Sequence, residues 1–558
     1  MSKIGQLLES AKSVEDRTKV MHKLVDKWEP WGLLEGCNAN EYDKAQMALL
    51  LENELKQVLV EATIATNNGG ASFTAGAGEQ WAGIALPMAR KVFGDITSKE
   101  FLGNQPLNMP FGLIYYLDFK YGANQPGSIP GTRFNQGDSI YGNTFTSTIQ
   151  PNVDAFGGLY GSGRFGYSTN EYNAVVTSGS ITATTSSLVD VNFNGLVSAS
   201  VATGGWRTLN IQTASVVIPN FDTTAVRSFM FTGSGVNEAV VYPEFTSYNA
   251  TFDRLTLVVS GSVSANATGS NISVPVTVYY SIATKDNLRG DFETTDSRPL
   301  TGSAEIPSID IAPRSEYIAA KTRKLKYSYT QEAQQDYNAF QSIDIEAEST
   351  SVLTEYISKE IDLECLDLVN NAAANTSEVW SAMNNRFFNK SNNTFSDLAA
   401  GATGYYNSQG QWFETLGYQI EKVSKIIHAK TQRGEATVMM CGPRISAIVE
   451  SIGGFAASTN GKGSEYTVGT KETGKFKGKY KLIVNSYMND NVILMAYKGA
   501  SLVDVGGVFA PYVPLISTPL VYDPITFKMS KGLSTRYGKK ITQSQYFGKV
   551  YVADLDKV

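Results

Sequence analysis

The 558-residue chain is 42% hydrophobic and 18% charged, a balance that suits folded domains and is somewhat poor in charge. Its formal net charge of -6 argues against a dedicated nucleic-acid binder, whose contacts need clustered Lys and Arg. Three cysteines, Cys37, Cys365 and Cys441, lie far apart without metal-ligand spacing and read as reduced thiols of a cytosolic compartment.

The length predicts about two to four domains. The N-terminal MSKIGQLLESAKSVEDR has no apolar h-region, so no signal peptide is expected. No run approaches the roughly 20 apolar residues of a membrane span.

The first 60 residues or so read as helical. Ile4, Leu7, Leu8, Ala11 and Val14 recur at helical spacing, and Val20, Met21, Leu24, Val25 and Trp28 continue the stripe to a break at Pro30 and Gly32. A second helix is predicted from Glu41 to Val60. Two such amphipathic helices bury little area alone and need a partner surface. At Ala62 the texture changes to ATIATNNGGASFTAGAGEQWAG, small, polar and glycine-rich, which reads as a flexible arm. A short helix is predicted at Ile84–Val92 around Pro87, and a strand at Leu113–Phe119.

Between Lys120 and Lys285 there is no lysine, and Ser, Thr, Gly, Val and Asn dominate. Short alternating runs at 189–193, 215–218, 255–259 and 274–280 predict an inserted antiparallel β-sandwich or barrel. After about Ser297 the charged helical texture returns. Lys321 to Phe340 reads as an element pair. Asp344 is the expected N-cap of a long helix, with Glu346 and Glu348 in the first turn, where carboxylates favour the helix dipole. Its apolar stripe runs from Val352 to Val369, and the helix is predicted to end near Asn371 as a rod of about 42 Å. A helix from Trp412 to Lys430, a buried strand at 437–441, a helix at 444–452 and strands at 480–484 and 491–497 complete a mixed α+β C-terminal part. In 506–540, Pro511, Pro514, Pro519 and Pro524 remove four backbone donors and predict an extended, interrupted segment at a sheet edge, followed by a basic strand.

Ala510-Pro511-Tyr512-Val513-Pro514-Leu515, then Asp523-Pro524 and Thr535-Arg536-Tyr537-Gly538, resemble the C-terminal part of the major capsid proteins of T-even-like tailed bacteriophages. Further matches occur in order: Lys27-Trp28-Glu29-Pro30 with Leu33-Leu34-Glu35-Gly36, and Asn108-Met109-Pro110-Phe111-Gly112 with Tyr121-Gly122. Arg323-Lys324-Leu325-Lys326 with Tyr329 and Gln334-Gln335-Asp336, and Thr431-Gln432-Arg433-Gly434-Glu435, complete the set. The resemblance covers roughly the first 120 and last 240 residues and leaves about 125–300 aside.

It implies an α+β tailed-phage major capsid fold of the Hong Kong 97 type, with a long spine helix, peripheral and axial domains, an extended β-loop and an N-terminal arm. The implied layout is a helical segment 1–61, cleaved or scaffold-facing, and an arm 62–112. An extended loop comes next at 113–310, with the β-rich module at about 125–300 inserted. A peripheral domain 311–434, an axial domain 435–530 and a C-terminal strand 531–558 returning to the peripheral domain complete it. The implied function is self-assembly of hexameric capsomers into an icosahedral or elongated shell around DNA, which is contacted only non-specifically. The implied partners are a prohead scaffold, a maturation protease, and decoration and vertex proteins. Assembly is expected in host cytoplasm, with the product in the virion. Two other readings stay open: the pentamer-forming vertex protein of the same family, and a carbohydrate-binding adhesin suggested by the hydroxyl-rich module with Trp206.

No catalytic, cofactor or metal residues are expected. His22 and His428 sit in helical stretches without partners at ligand or triad spacing. Asn460-Gly461-Lys462-Gly463-Ser464 lacks the upstream glycine of a phosphate loop, and the Lys- and Gly-rich run to Lys481 reads as a loop beside a domain. Asp362 and Glu364 lie on different helix faces and read as solvated. One peptide has a chemical reading. Leu59-Val60-Glu61-Ala62 resembles the Leu/Ile-x-Glu site of the family's prohead protease and lies where helix gives way to flexible chain, so Glu61-Ala62 is the expected cleavage site. Leu7-Leu8-Glu9, Leu33-Leu34-Glu35, Leu50-Leu51-Glu52, Leu353-Thr354-Glu355 and Ile448-Val449-Glu450 share the pattern, the last two inside predicted helices.

Overall fold

A computed structural model describes residues 23–31, 34, 44–53, 55, 97–122, 169–176, 181–195, 197–202, 206–213, 229–232, 240–249, 253–260, 276–283, 308–341, 345–389, 394–431, 433–457, 470–499, 504–518, 520–523, 525–526 and 528–557. The strands in chain order are β1 Gly103–Asn104, β2 Phe111–Tyr121, β3 Thr169–Val176, β4 Ile181–Thr185, β5 Trp206–Gln212, β6 Phe229–Thr232, β7 Val240–Asn249, β8 Arg254–Ser260 and β9 Val276–Ala283. They continue as β10 Ile309–Ala319, β11 Lys321–Thr330, β12 Ser377–Ser381, β13 Arg386–Asn389, β14 Thr394–Asp397, β15 Val438–Cys441, β16 Phe455–Ala457 and β17 Thr470–Phe476. The last are β18 Tyr480–Asn485, β19 Val492–Ala496, β20 Gly507–Ser517, β21 Val521–Asp523, β22 Lys528–Ile541 and β23 Phe547–Ala553. Residues 23–28 and 44–53 are helical, and the further helices are α1 Ser198–Ala202, α2 Gln331–Gln341, α3 Ile345–Ala372, α4 Gln409–Thr431 and α5 Pro443–Ser451.

A seven-stranded mixed sheet, ordered β12-β23-β19-β15-β18-β17-β16, forms the centre of the C-terminal body. Its inner strands are continuous apolar runs, VMMC in β15 and VILMA in β19, as strands covered on both faces must be. Alternation divides them between two cores. Val438, Met440, Val492, Leu494 and Ala496 face α3, while Met439, Cys441, Ile493 and Met495 face α4 and α5. On α4 the buried residues Trp412, Leu416, Ile420, Val423 and Ile427 recur at the helical period and form one apolar stripe. β23 runs close beneath that helix. A Cβ on Gly548 would lie 2.6 Å from Val423 Cγ1, so only glycine fits there.

A second sheet, ordered β1-β20-β22-β11 with β21 beside β22, packs on α3. The prolines of β20 are accommodated where its register against β22 shifts, between Pro511 and Val513 and again between Val513 and Ile516. The 28 residues of α3 carry two buried stripes. Ile357, Ile361, Cys365, Val369 and Ala372 form the apolar one. Thr350, Thr354, Ser358 and Asp362 form a polar one at i, i+4 spacing. The first two hydroxyls bond back to Glu346 O and Thr350 O, each at 2.7 Å, and Tyr327 of β11 reaches Thr350 Oγ1 at 3.1 Å. Asp362 is 1% exposed and accepts the Ser98 N–H at 2.7 Å. Asp362 is therefore not solvated, and Glu364 is only partly so. The pattern of a charged residue on a helix does not reveal which neighbouring backbone it will cap.

Glu364 is the junction between α3 and the second sheet. It receives hydrogen bonds from Arg323, from the Tyr537 hydroxyl and from Lys539 Nζ at 2.7 Å, while Lys539 also donates to Glu364 O at 2.9 Å. Burial opposes its ionisation, but the bonds from Lys539, Tyr537 and Arg323 outweigh that and hold its carboxyl at about 2.

β2 and β10 pair antiparallel over their whole lengths as a separate ribbon. Between them in sequence, the described strands of the 169–283 region pair only with one another, as β3-β9-β6 and β4-β5-β8-β7. The alternating run 189–193 is not a strand. It is a turn, because Asn192 and Phe193 take positive φ of 51° and 54° and reverse the chain. At the chain end β22 pairs with β11, and β23 lies between β12 and β19. The predicted short helix at 84–92, the run at 215–218, the Asp344 cap and residues 460–464 lie outside the described residues, whereas the described part of the run read as a loop to Lys481 holds β17 and the start of β18.

Replacing Glu364 with Gln should destabilise the chain by about 1–3 kcal/mol at pH 7, the scale of a hydrogen bond to a charged group, read from the urea midpoint. Because the native carboxyl titrates near 2 and an unperturbed one near 4.5, the wild-type advantage should be full above pH 4.5 and vanish as the pH falls toward 2. Parallel pH profiles for the two proteins would remove Glu364 as the junction.

Candidate assembly surfaces

Among the described residues no three His, Cys, Asp or Glu side chains gather as metal ligands would. Cys365 and Cys441 are buried free thiols, and burial pushes the Cys365 thiol up to about 12 and the Cys441 thiol up as well, which makes both unreactive. His428 lies in the last turn of α4. The surfaces that distinguish the molecule are apolar.

The ribbon carries the clearest one. Strand alternation gives it two faces. On one, Ile114, Tyr116 and Ile318 are buried, and Ile114 and Ile318 pack with Val508 and Ala510 of β20. Glu316 ties this side down, accepting the Tyr116 hydroxyl at 3.0 Å and pairing with Lys540 at 2.6 Å. The Gln105 amide bonds the backbone of Tyr115 through both ends, at 3.1 and 3.3 Å, like a further strand residue. On the opposite face Phe111, Leu113, Tyr317, Ile311 and Ile309 are 58, 47, 58, 60 and 48% exposed. Leu113 pairs with Tyr317 across the strands, and the rings of Phe111 and Tyr317 stack at 5.9 Å. Exposed apolar side chains at both ends of one face, on a ribbon held from behind, mark a surface suited to being covered by a partner.

A second group of apolar side chains lies around β21. Val521 and Tyr522 are exposed there, Ile525 beyond them is 87% exposed, and the Tyr522 hydroxyl donates to Gln331 of α2 at 3.3 Å.

The motifs read in the sequence are joints of the body. Arg433 pairs with Asp504 at 3.0 Å, and Asp504 also accepts the Tyr546 hydroxyl at 2.7 Å. A Cβ on Gly434 would strike the Tyr497 ring at 2.3 Å, and one on Gly538 would lie 2.8 Å from Ile318. Trp28 is buried with Leu34, Met47, Ala48 and Leu51, and Lys27 pairs with Glu52 at 2.6 Å.

The inserted region meets the body through the turn at 188–195. The Phe193 ring stacks on Tyr551 of β23 at 3.9 Å and 7°, and Asn192 Nδ2 donates to Ala374 O at 2.8 Å. Trp206 is only 7% exposed and stacks on Tyr242 at 4.2 Å inside the core of the insert, so it offers no platform for a sugar ring. Sequence patterning missed the turn contacts because Asn192, a residue that favours turns, sits inside an apolar-polar alternation that reads as a strand. The uncommon φ values are the only signal, and they are not written in the composition.

Glu61 and Ala62 lie outside the described residues. Of the other sequences matching the cleavage pattern, Leu353-Thr354-Glu355 and Ile448-Val449-Glu450 lie within α3 and α5. Leu50-Leu51-Glu52 is helical too, with Leu50 and Leu51 buried. A protease needs extended chain and finds none at those three sites.

The family described as Major capsid protein Gp23 matches residues 78–557. The chain is similar to the major capsid protein of Enterobacteria phage T4, 29% identical over 258 residues that cover 43% of this chain and 46% of the relative. The major capsid protein of Vibrio phage KVP40 is 27% identical over 242 residues, covering 40% and 43%. The chain thus spans about half the length of the curated relatives it matches. Among solved structures, the capsid of Myoviridae phage XM1 aligns at 9% identity and a TM-score of 0.28 over 45% of this chain and 80% of that one. The capsid of cyanophage P-SCSP1u aligns at 11% and 0.28 over 47% and 79%, and likeness at that level adds nothing to the family match. With the family matched from residue 78 to residue 557, the chain belongs to the Gp23 major capsid protein family.

Proposed function

We propose that this chain is a structural subunit that self-assembles into the shell enclosing a viral genome. The observation that carries the reading is the ribbon's exposed strip of Phe111, Leu113, Tyr317, Ile311 and Ile309, backed by a buried and ion-paired face. Being already about half buried, each such side chain would contribute about half of the roughly 1.5–3 kcal/mol of full burial when it is covered. The occupant supported best is a neighbouring copy of the chain, since a family of shell proteins needs many modest, repeated contacts. Interfaces of roughly 1,200–2,000 Å² each would hold such a shell. Hexameric capsomers tile an icosahedral or elongated head, built in host cytoplasm and delivered in the virion. Its partners are a scaffold, a maturation protease and decoration and vertex proteins. DNA meets the shell without specific contacts, in keeping with the net charge of -6.

Residues 1–61 belong to the immature state in this reading, where their amphipathic helices pack on the scaffold. Cleavage at Glu61-Ala62 removes them, frees interior volume and releases the arm beyond. The inserted region at about 125–300 is a module of its own and faces outward. Its described strands pair only among themselves, which supports a module of its own.

Three measurements test this. At micromolar concentration, with any scaffold or chaperone the system requires, sedimentation should give particles far above 60.5 kDa; a chain that stays monomeric under every such condition fails the shell reading. Leu113→Glu combined with Tyr317→Ser should abolish those particles, or raise the concentration needed by at least about tenfold, the equivalent of 1.4 kcal/mol per contact. The monomer's thermal midpoint should change little, because both side chains are exposed. N-terminal mass spectrometry of purified particles should find Ala62 first. Retention of Met1 or Ser2 would end the cleavage hypothesis and leave the shell untouched.

A further inference from the structure

A cleft of about 660 Å³ separates the inserted four-stranded sheet from the body. Its two walls differ in kind. The wall on the insert is a row in register across four strands, Thr182 of β4, Asn210 of β5, Thr256 of β8 and Ser247 of β7. Thr256 Oγ1 donates to Asn210 Oδ1 at 3.0 Å, so the row is partly organised. The wall on the body contains Ser377 and Val379 of β12.

Among the described residues β12 is the edge of the seven-stranded sheet, paired in parallel with β23 and with no strand on its other side. Its register fixes which backbone groups face outward. Lys549 N donates to Thr376 O at 2.8 Å and Ala382 N donates to Ala553 O at 2.9 Å, so the even-numbered residues of β12 turn their N–H and C=O toward β23. Those of Ser377 and Val379 turn the other way, on the side where the cleft lies. An edge with outward N–H and C=O groups is a template for a further strand.

The charged side chains lining the cleft are of both signs, Asp190 and Glu378 against Arg254. Asp190 accepts the Ser187 N–H and hydroxyl at 2.7 and 2.9 Å, and Glu378 pairs with Lys422 at 3.1 Å. Hydroxyls and amides dominate what remains, and they match uncharged polar side chains rather than a charged ligand. The spacing of the walls is held by the turn at 188–195 through the Phe193–Tyr551 stack and the Asn192–Ala374 bond. The volume is in the range of ligand pockets, about 300–1,000 Å³.

We propose that this cleft receives an extended, uncharged strand from a second copy of the chain, hydrogen-bonded to β12 at Ser377 and Val379. The chain is rich in suitable sequence, since no lysine occurs between Lys120 and Lys285 and Ser, Thr, Gly and Asn abound there. The choice of a second copy rests on the proposed shell function. The contact would tie the insert, the spine-helix end and a neighbouring subunit together at one place.

The test uses the full chain. Amide hydrogen exchange at Ser377 and Val379 should slow at least tenfold on assembly. Val379→Pro deletes one outward N–H without touching the bonds to β23, as an edge strand tolerates, and should abolish the slowing at Ser377. A photo-crosslinker at Thr256, in a mixture of isotope-labelled and unlabelled copies, should join labelled to unlabelled chains. Shells that form without slowed exchange and without such crosslinks overturn the strand proposal and spare the shell reading. Crosslinks between copies without shells do the reverse. A crosslink to a different protein overturns the choice of a second copy.

Discussion

One helix serves two sheets, and the arrangement of the rest of the body depends on it. Ile357, Ile361, Val369 and Ala372 of α3 share a single core with Val438, Met440 and Leu494 of the seven-stranded sheet and with Phe509, Leu533 and Tyr537 of the other. Close-packed interiors transmit displacement rather than absorb it, so the two sheets cannot move independently of the helix. The polar stripe beside the apolar one is compatible with this only because each member is short and bonded. Thr350 and Thr354 bond to the helix's own carbonyls, and Asp362 bonds to Ser98. A longer polar side chain at those positions would separate the layers.

The ribbon and the insert hang from this double core by different physics. The ribbon is attached by burial of Ile114 and Ile318 against β20 and by the Glu316–Lys540 pair. On its outer face Phe111, Leu113, Tyr317, Ile311 and Ile309 stay exposed, an arrangement that a lone chain tolerates poorly and that an assembling one uses. The insert is attached by a turn with two consecutive left-handed residues, Asn192 and Phe193. Non-glycine residues in that region are disfavoured and persist when the surroundings over-determine them. Here the Tyr551 stack and the Ala374 carbonyl do so.

The residues that carried the family resemblance share a property. Arg433, Gly434, Tyr537 and Gly538 all sit where two elements approach closely: Arg433 on Asp504, Gly434 under Tyr497, Tyr537 on Glu364, Gly538 against Ile318. Close approach leaves few acceptable side chains, and short motifs of Gly, Arg and Tyr result. Such motifs are legible in a single sequence although the contacts that require them are not.

By itself the sequence determined the local periodicity and the elements that periodicity builds. The apolar stripe of α3, the clean 3.6-residue repeat of α4, the buried runs of β15 and β19 and the alternation of β8 and β9 were all readable, because each is fixed by which side chains must leave water. The tertiary structure decided which elements face one another. Asp362 and Glu364 looked like solvated charges and became a cap and a junction, since their partners Ser98 and Tyr537 lie 264 and 173 residues away. Residues 189–193 had the alternation of a strand and formed a turn, because docking on β23 outweighed propensity. The cleft at β12 was invisible for the same reason: an edge exists only once the order of strands in a sheet is known, and that order is set by packing between segments distant in the chain.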